Sequence, residues 1–135
     1  MSTTTEMDPA IVRAVEAFNE HDPDGFVEEL ADDATFTDPV RDGLDRAETR
    51  AYMRELIEAF PDVHIEAERV ISSDNRTAME CTFRGTHQGE FDGIPPTGET
   101  VDDTFVSIVT VSTDGITSWT DYWDRMSLTE QLGLE

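Results

Sequence analysis

The chain has 135 residues, 37% of them apolar, enough for one domain around a modest core. Its 31 acidic residues against nine arginines and no lysine leave a net charge of −22, which excludes a binder of nucleic acid phosphates or of anionic membrane surfaces. The acids run from Glu6 to Glu135 without forming a block, which favours a high-salt, halophilic cytoplasm over a docking patch for a basic partner.

In chain order, residues 1–8 read as a flexible lead with neither the basic start nor the apolar stretch of a signal peptide. Asp8-Pro9 is a helix start, and Ile11, Val15 and Phe18 recur at helical spacing, so a helix is predicted over 9–20. Asp22-Pro23 repeats the device for a shorter helix whose apolar face is Phe26, Val27 and Leu30. ATFTDPV (34–40) is a short β-prone run ended by Pro39. The clearest helix follows: Asp45 caps it, Tyr52, Met53, Leu56, Ile57 and Phe60 make one stripe, and Pro61 stops it. Strands are predicted at 63–72, 77–87, 100–111 and 115–124, with turns at SSDN and STDG. In the tail, Ser127 and Glu130 stand at capping-box spacing and Gly133 is a stop. The single cysteine, Cys81, lies in an alternating apolar run and reads as a buried hydrophobe with no intramolecular disulfide. No apolar run approaches the ~18 residues of a membrane span, so a cytoplasmic location is expected.

Helices early and strands late imply one α+β domain over 1–135, with a mostly antiparallel sheet. Three amphipathic helices covering one face of a curved sheet make a cone with a pocket between the layers. The outer sheet face, with runs such as TFVSIVTVS, is expected to pack against a second copy as a homodimer. One connection stands out. Between the strands ending near His87 and starting near Thr100 lie about a dozen residues, where a plain hairpin uses two to five. Prolines stiffen this loop and glycines bend it, as at the rim of a site.

That loop, GTHQGEFDGIPPTGE (85–99), and the C-terminal DYWDRMSLTEQLG (121–133) resemble the SnoaL-like polyketide cyclases, also called ester cyclases, of the nuclear transport factor 2-like superfamily. The resemblance runs from Val12 to Gly133 and implies the same cone-shaped α+β barrel. It implies a cofactor-free enzyme that abstracts a proton next to a carbonyl and closes a ring of a polyketide-like molecule by an aldol step. A non-catalytic module binding a small hydrophobic or polycyclic ligand is the alternative, because fold does not settle function.

By this resemblance Asp124 is the general acid/base and His87 a polar positioner of the substrate. A carboxylate in an apolar pocket has a raised pKa and is a better base toward carbon. Trp119, Tyr122, Trp123 and Phe91 would supply flat apolar walls, although strict alternation puts Trp123 and Asp124 on opposite faces. Asp38, in TFTDPV, matches the DPV context of the general base of ketosteroid isomerases and is a candidate pocket residue. That enzyme's partner tyrosine and strand acid fall by position on Ala14 and Ser107 here, so its oxyanion hole is not expected. Cys81 and His87 lie about 20 Å apart along an extended strand and are no nucleophile–base pair. No motif for a metal or an organic cofactor is present.

Overall fold

The computed structural model describes residues 7–134. Of the eight lead residues, the first six lie outside this range; Met7 packs against the core and Asp8 caps the first helix. α1 (Pro9–Asn19) starts where the Asp8 carboxylate accepts the Ala10 N–H at 2.8 Å. α2 (Pro23–Glu28) starts on Asp22 in the same way, through Gly25. β1 (Leu30–Asp38) and β2 (Arg41–Leu44) follow, then α3 (Arg46–Ala59), whose capping box joins Asp45 and Glu48. β3 (His64–Ser73), β4 (Arg76–Thr86), β5 (Thr100–Ser112) and β6 (Gly115–Tyr122) form the meander, and α4 (Arg125–Gln131) ends the chain.

The six strands lie in the order β2-β1-β6-β5-β4-β3. Every neighbouring pair is antiparallel except β1 and β6, which are parallel. Register shifts in β1, β3 and the β5–β6 pair bend the sheet. Alternation then sorts side chains: Met79, Cys81, Val101, Ser107, Val109 and Trp119 are buried on the concave face, against Ile11, Phe18, Phe26, Tyr52 and Phe60 from the helices. On the convex face Ile71 and Tyr122 are exposed, at 66% and 59%.

Two helices differ from the sequence reading. α2 stops at Glu28, and β1 begins at Leu30, so the LADD segment is strand rather than helix. α4 is capped not by Ser127 but by Asp124, whose carboxylate accepts the Met126 N–H at 2.9 Å. No helix of the described residues is long and apolar enough to cross a membrane.

The long 87–99 connection folds back onto the end of α3. Gln88 and Gly89 both donate backbone N–H groups to the Ala59 carbonyl, at 2.9 and 3.1 Å. A Cβ on Gly89 would lie 2.4 Å from the Glu58 carbonyl oxygen, so only glycine lets the backbones meet. A two-residue turn at Asp92-Gly93, both at positive φ, closes on reciprocal Phe91–Ile94 bonds.

Candidate active site

Between sheet and helices lies a cavity of about 800 Å³, its open mouth included. Its walls are aromatic, with Phe18, Phe36, Phe83 and Phe105 among them, and three carboxylates reach it: Asp38, Asp103 and Asp121. α4 lends Leu128, so the C-terminal helix helps to shape the site.

Asp121 stands on β6, one strand alternation from Trp119 and one from Trp123, and all three line the cavity. Its Oδ1 accepts the Trp119 indole N–H at 2.9 Å and a short bond from the Ser107 hydroxyl. Both bonds go to Oδ1 and leave Oδ2 to the cavity. Burial pushes the Asp121 pKa up to about 7, against the pull of the Ser107 and Trp119 bonds, and the charge of Asp38 adds to the rise.

Asp38 closes β1 and is 9% exposed. Its Oδ1 accepts the Val40 and Arg41 N–H groups at 2.9 Å each, an arrangement set by the DPV turn. Its Oδ2 accepts the Tyr52 hydroxyl at 2.5 Å. Burial raises the Asp38 pKa, and the Tyr52 bond and the two backbone donors resist the rise. Burial and the neighbouring carboxylate raise the pKa of Tyr52, which holds it as a neutral donor. The Arg41 guanidinium lies over the Tyr52 ring, 4.7 Å from its centre, and is itself held by Glu55 and Asp92 at 2.9 and 3.0 Å. Through Asp92 this arginine also pins the long loop, which delivers Phe91 beside Tyr52 and Phe60.

Of the residues singled out from sequence, Asp38, Phe91, Trp119 and Trp123 meet in this cavity. Tyr122 does not: its neighbours Asp121 and Trp123 point inward, so it points out and lies on the convex face. Asp124 also lies elsewhere. β6 ends at Tyr122, and the exposed Asp124 carboxylate turns away to cap α4, outside the aromatic cavity. His87 is fully buried but is not part of the cavity lining. Its Nδ1 accepts the Thr97 N–H at 3.1 Å, its backbone N–H bonds the Glu99 carbonyl, and its ring packs on Phe60. Burial lowers its pKa, so the ring is neutral with its proton on Nε2. In this structure it clasps the two ends of the loop.

Sequence reasoning missed Asp121 and Tyr52. The alternation in SWTDYWD places Asp121 on the face of both tryptophans, a signal that was there to read. Tyr52 was seen only as part of a core stripe. Cys81 is buried, with its thiol pushed up to about 12 by burial and by nearby acids, Asp121 foremost, which makes it a poor nucleophile.

The profile of the SnoaL-like polyketide cyclases matches residues 10–132, and the chain belongs to that family. IdmH of Streptomyces antibioticus, a polyketide cyclase candidate, is 28% identical over 93% of this chain and 96% of its own, with a TM-score of 0.79. AclR of Streptomyces galilaeus, a hydroxylase candidate, is 26% identical over 92% of this chain and 82% of its own, with a TM-score of 0.80. A Catenulispora acidiphila protein of ketosteroid isomerase-like fold, solved with trimethylamine, shares 16% identity over 96% of both chains and a TM-score of 0.82, a likeness of fold. The chain matches no curated protein sequence.

Proposed function

We propose that this protein is a cyclase or isomerase that removes a proton next to a carbonyl of a small polyketide-like molecule, with Asp121 as the base. The observation that carries this reading is the state of one carboxylate. Asp121 is anchored through Oδ1, free at Oδ2, set among aromatic walls, and has its pKa near the pH at which it would work.

Oδ2 takes the proton from carbon, leaving an enolate whose charge spreads over the substrate's own conjugated carbonyls. The enolate carbon attacks a second carbonyl within the same molecule and forms the ring bond. The resulting alkoxide takes the proton back from Oδ2, so the carboxylate ends as it began. The aromatic walls hold the chain folded for this attack and exclude water, which strengthens the electrostatics of the step.

Asp121→Asn keeps the shape of the side chain and removes the base. It is expected to retain the fold and to lose at least ~10²-fold in turnover on a substrate found by screening carbonyl compounds. Asp124→Asn, in the same assay, is expected to stay within about twofold of the parent. Near-native turnover in Asp121→Asn would overturn the assignment and return the cavity to a purely binding role.

A further inference from the structure

We propose that this cavity selects a lipophilic cation, a molecule with an aromatic or aliphatic body and a protonated or quaternary amine, over its neutral and anionic counterparts. The inference names the ligand class of the cavity just described and rests on the reading of that cavity as the substrate site.

Three observations lead there. The ionisable groups in the lining, apart from the Tyr52 phenol, are all carboxylates: Asp38, Asp103 and Asp121. Among the described residues no arginine or histidine lines the space, and the chain has no lysine. Arg41, outside the lining, lies over the Tyr52 ring and is paired with both Glu55 and Asp92; its charge reaches Asp38 but not Asp121. Asp121 and Asp103 therefore face no counter-charge from the lining, Asp38 has only the already paired Arg41 outside it, and a ligand can bring one. Burial raises the Asp121 pKa and the charge of Asp38 adds to the rise, with no cation acting against them. Much of the remaining wall is aromatic, from Phe26, Phe36, Phe91 and Trp119 among others, and aromatic faces attract cations most strongly where water is excluded. A carboxylate entering the same space would meet three acidic side chains and no cation in the lining.

The two carboxylates then have separate parts. Asp38 already accepts three hydrogen bonds, from Val40, Arg41 and Tyr52, which favour its charged form and suit a fixed counter-ion for the amine. Asp121, with Oδ2 unengaged by Ser107 and Trp119, is left for the reacting carbon.

A matched set of probes tests this by calorimetry at pH 7.5: 1-naphthylmethylammonium, 1-naphthylmethanol and 1-naphthoate. In 1 M KCl the Debye length is about 3 Å, so the long-range pull of the net charge is screened and only contacts are read. The ammonium is expected to bind at least tenfold tighter than the alcohol, and the naphthoate not at all. Asp38→Asn and Asp121→Asn should each reduce the ammonium preference at least threefold. Asp114→Asn, an exposed turn residue with the same change in charge, should leave it intact. Melting curves of each variant establish that it is folded. Equal affinity for alcohol and ammonium, or a preference that survives both cavity variants, would overturn the proposal. Those outcomes are independent of turnover in Asp121→Asn. A lost preference with a dead Asp121→Asn variant sinks only this inference, and a sound preference with an active variant sinks only the catalytic reading.

Discussion

At the scale of residues, the decisive distinction lies between two aspartates three positions apart. Asp124 finds a helix N-terminus and exposed surroundings, and Asp121 finds two tryptophans and the charge of Asp38. Strand periodicity alone separates them, because Trp119, Asp121 and Trp123 share one face. The resemblance points to Asp124, three positions beyond the aspartate that lines the cavity. Tyr52 was illegible for a different reason. A helical stripe that faces a hollow has the same spacing as one that faces a packed core, and only the partner strands show which it is. The raised pKa of Asp121 also has a stability consequence with a definite sign. The folded state holds a proton that the unfolded chain has released, from the ordinary carboxylate range up to about pH 7. Stability therefore falls as pH rises through that window, and above it the protein carries a buried charge at a cost. Asp121→Asn removes this cost while its amide oxygen still accepts from Ser107 and Trp119. Paired melts should show the variant more stable than the parent at pH 8, with a clearly smaller advantage at pH 5 that vanishes as pH falls below the ordinary carboxylate range. The same offset at both pH values would mean that Asp121 does not carry the shift. Its turnover should follow the opposite course and decline as pH falls below 7, because a protonated base takes no proton.

At the scale of elements, local signals located most of the fold. Asp-Pro starts, the α3 stripe with its stop at Pro61, and alternating runs placed α1, α3 and the four meander strands within a few residues. What escaped was non-local. β2, with Leu44 its one aliphatic side chain, forms only because β1 pairs with it, and the parallel contact between β1 and β6 joins segments some eighty residues apart. The 87–99 loop shows how an element can be read from sequence and its working still be missed. Its length flagged a site, but its job is to seat Phe91 against Tyr52 and Phe60 and to bring Asp92 to Arg41. Gly89 is the point on which that seating depends, since a Cβ there meets backbone rather than a movable side chain. Gly89→Ala should therefore push the loop off the end of α3. A loss of about 1–3 kcal/mol, the usual cost of overpacking, is expected in denaturant melts, together with weaker binding of 1-naphthylmethylammonium as Phe91 withdraws. A variant within about 0.5 kcal/mol of the parent and unchanged in binding would show that the contact relaxes freely.

At the scale of the whole molecule, charge dominates. Among the described residues six arginines pair with seven acids, for example Arg13 with Glu29 and Arg69 with Glu80, and several of these pairs are open to solvent. Exposed pairs contribute about 0–1 kcal/mol each, too little to offset a net charge of −22. At about 0.01 M salt the Debye length is near 30 Å, roughly the width of a domain this size, so every acid feels every other. Typical stability is only about 5–15 kcal/mol, and repulsion of this kind opposes it directly. Near 1 M salt the screening length shrinks to about 3 Å and the repulsion is confined to immediate neighbours. Association feels the same force more strongly, since pairing two convex faces across Ile71 and Tyr122 doubles the charge of the particle while burying apolar sheet. The two effects rise together with salt. Across 0.1 to 3 M KCl at neutral pH, the melting temperature should climb by on the order of 10 °C, which corresponds to roughly 2–3 kcal/mol for a domain of this length. Light scattering over the same series should show monomer giving way to dimer at micromolar concentration. NaCl should act like KCl at the low end of the range, because screening depends on ionic strength and not on the cation. A flat melting curve would mean that the acids are neutralised locally or by a bound basic partner. A monomer throughout would mean that the convex face is stable in water on its own.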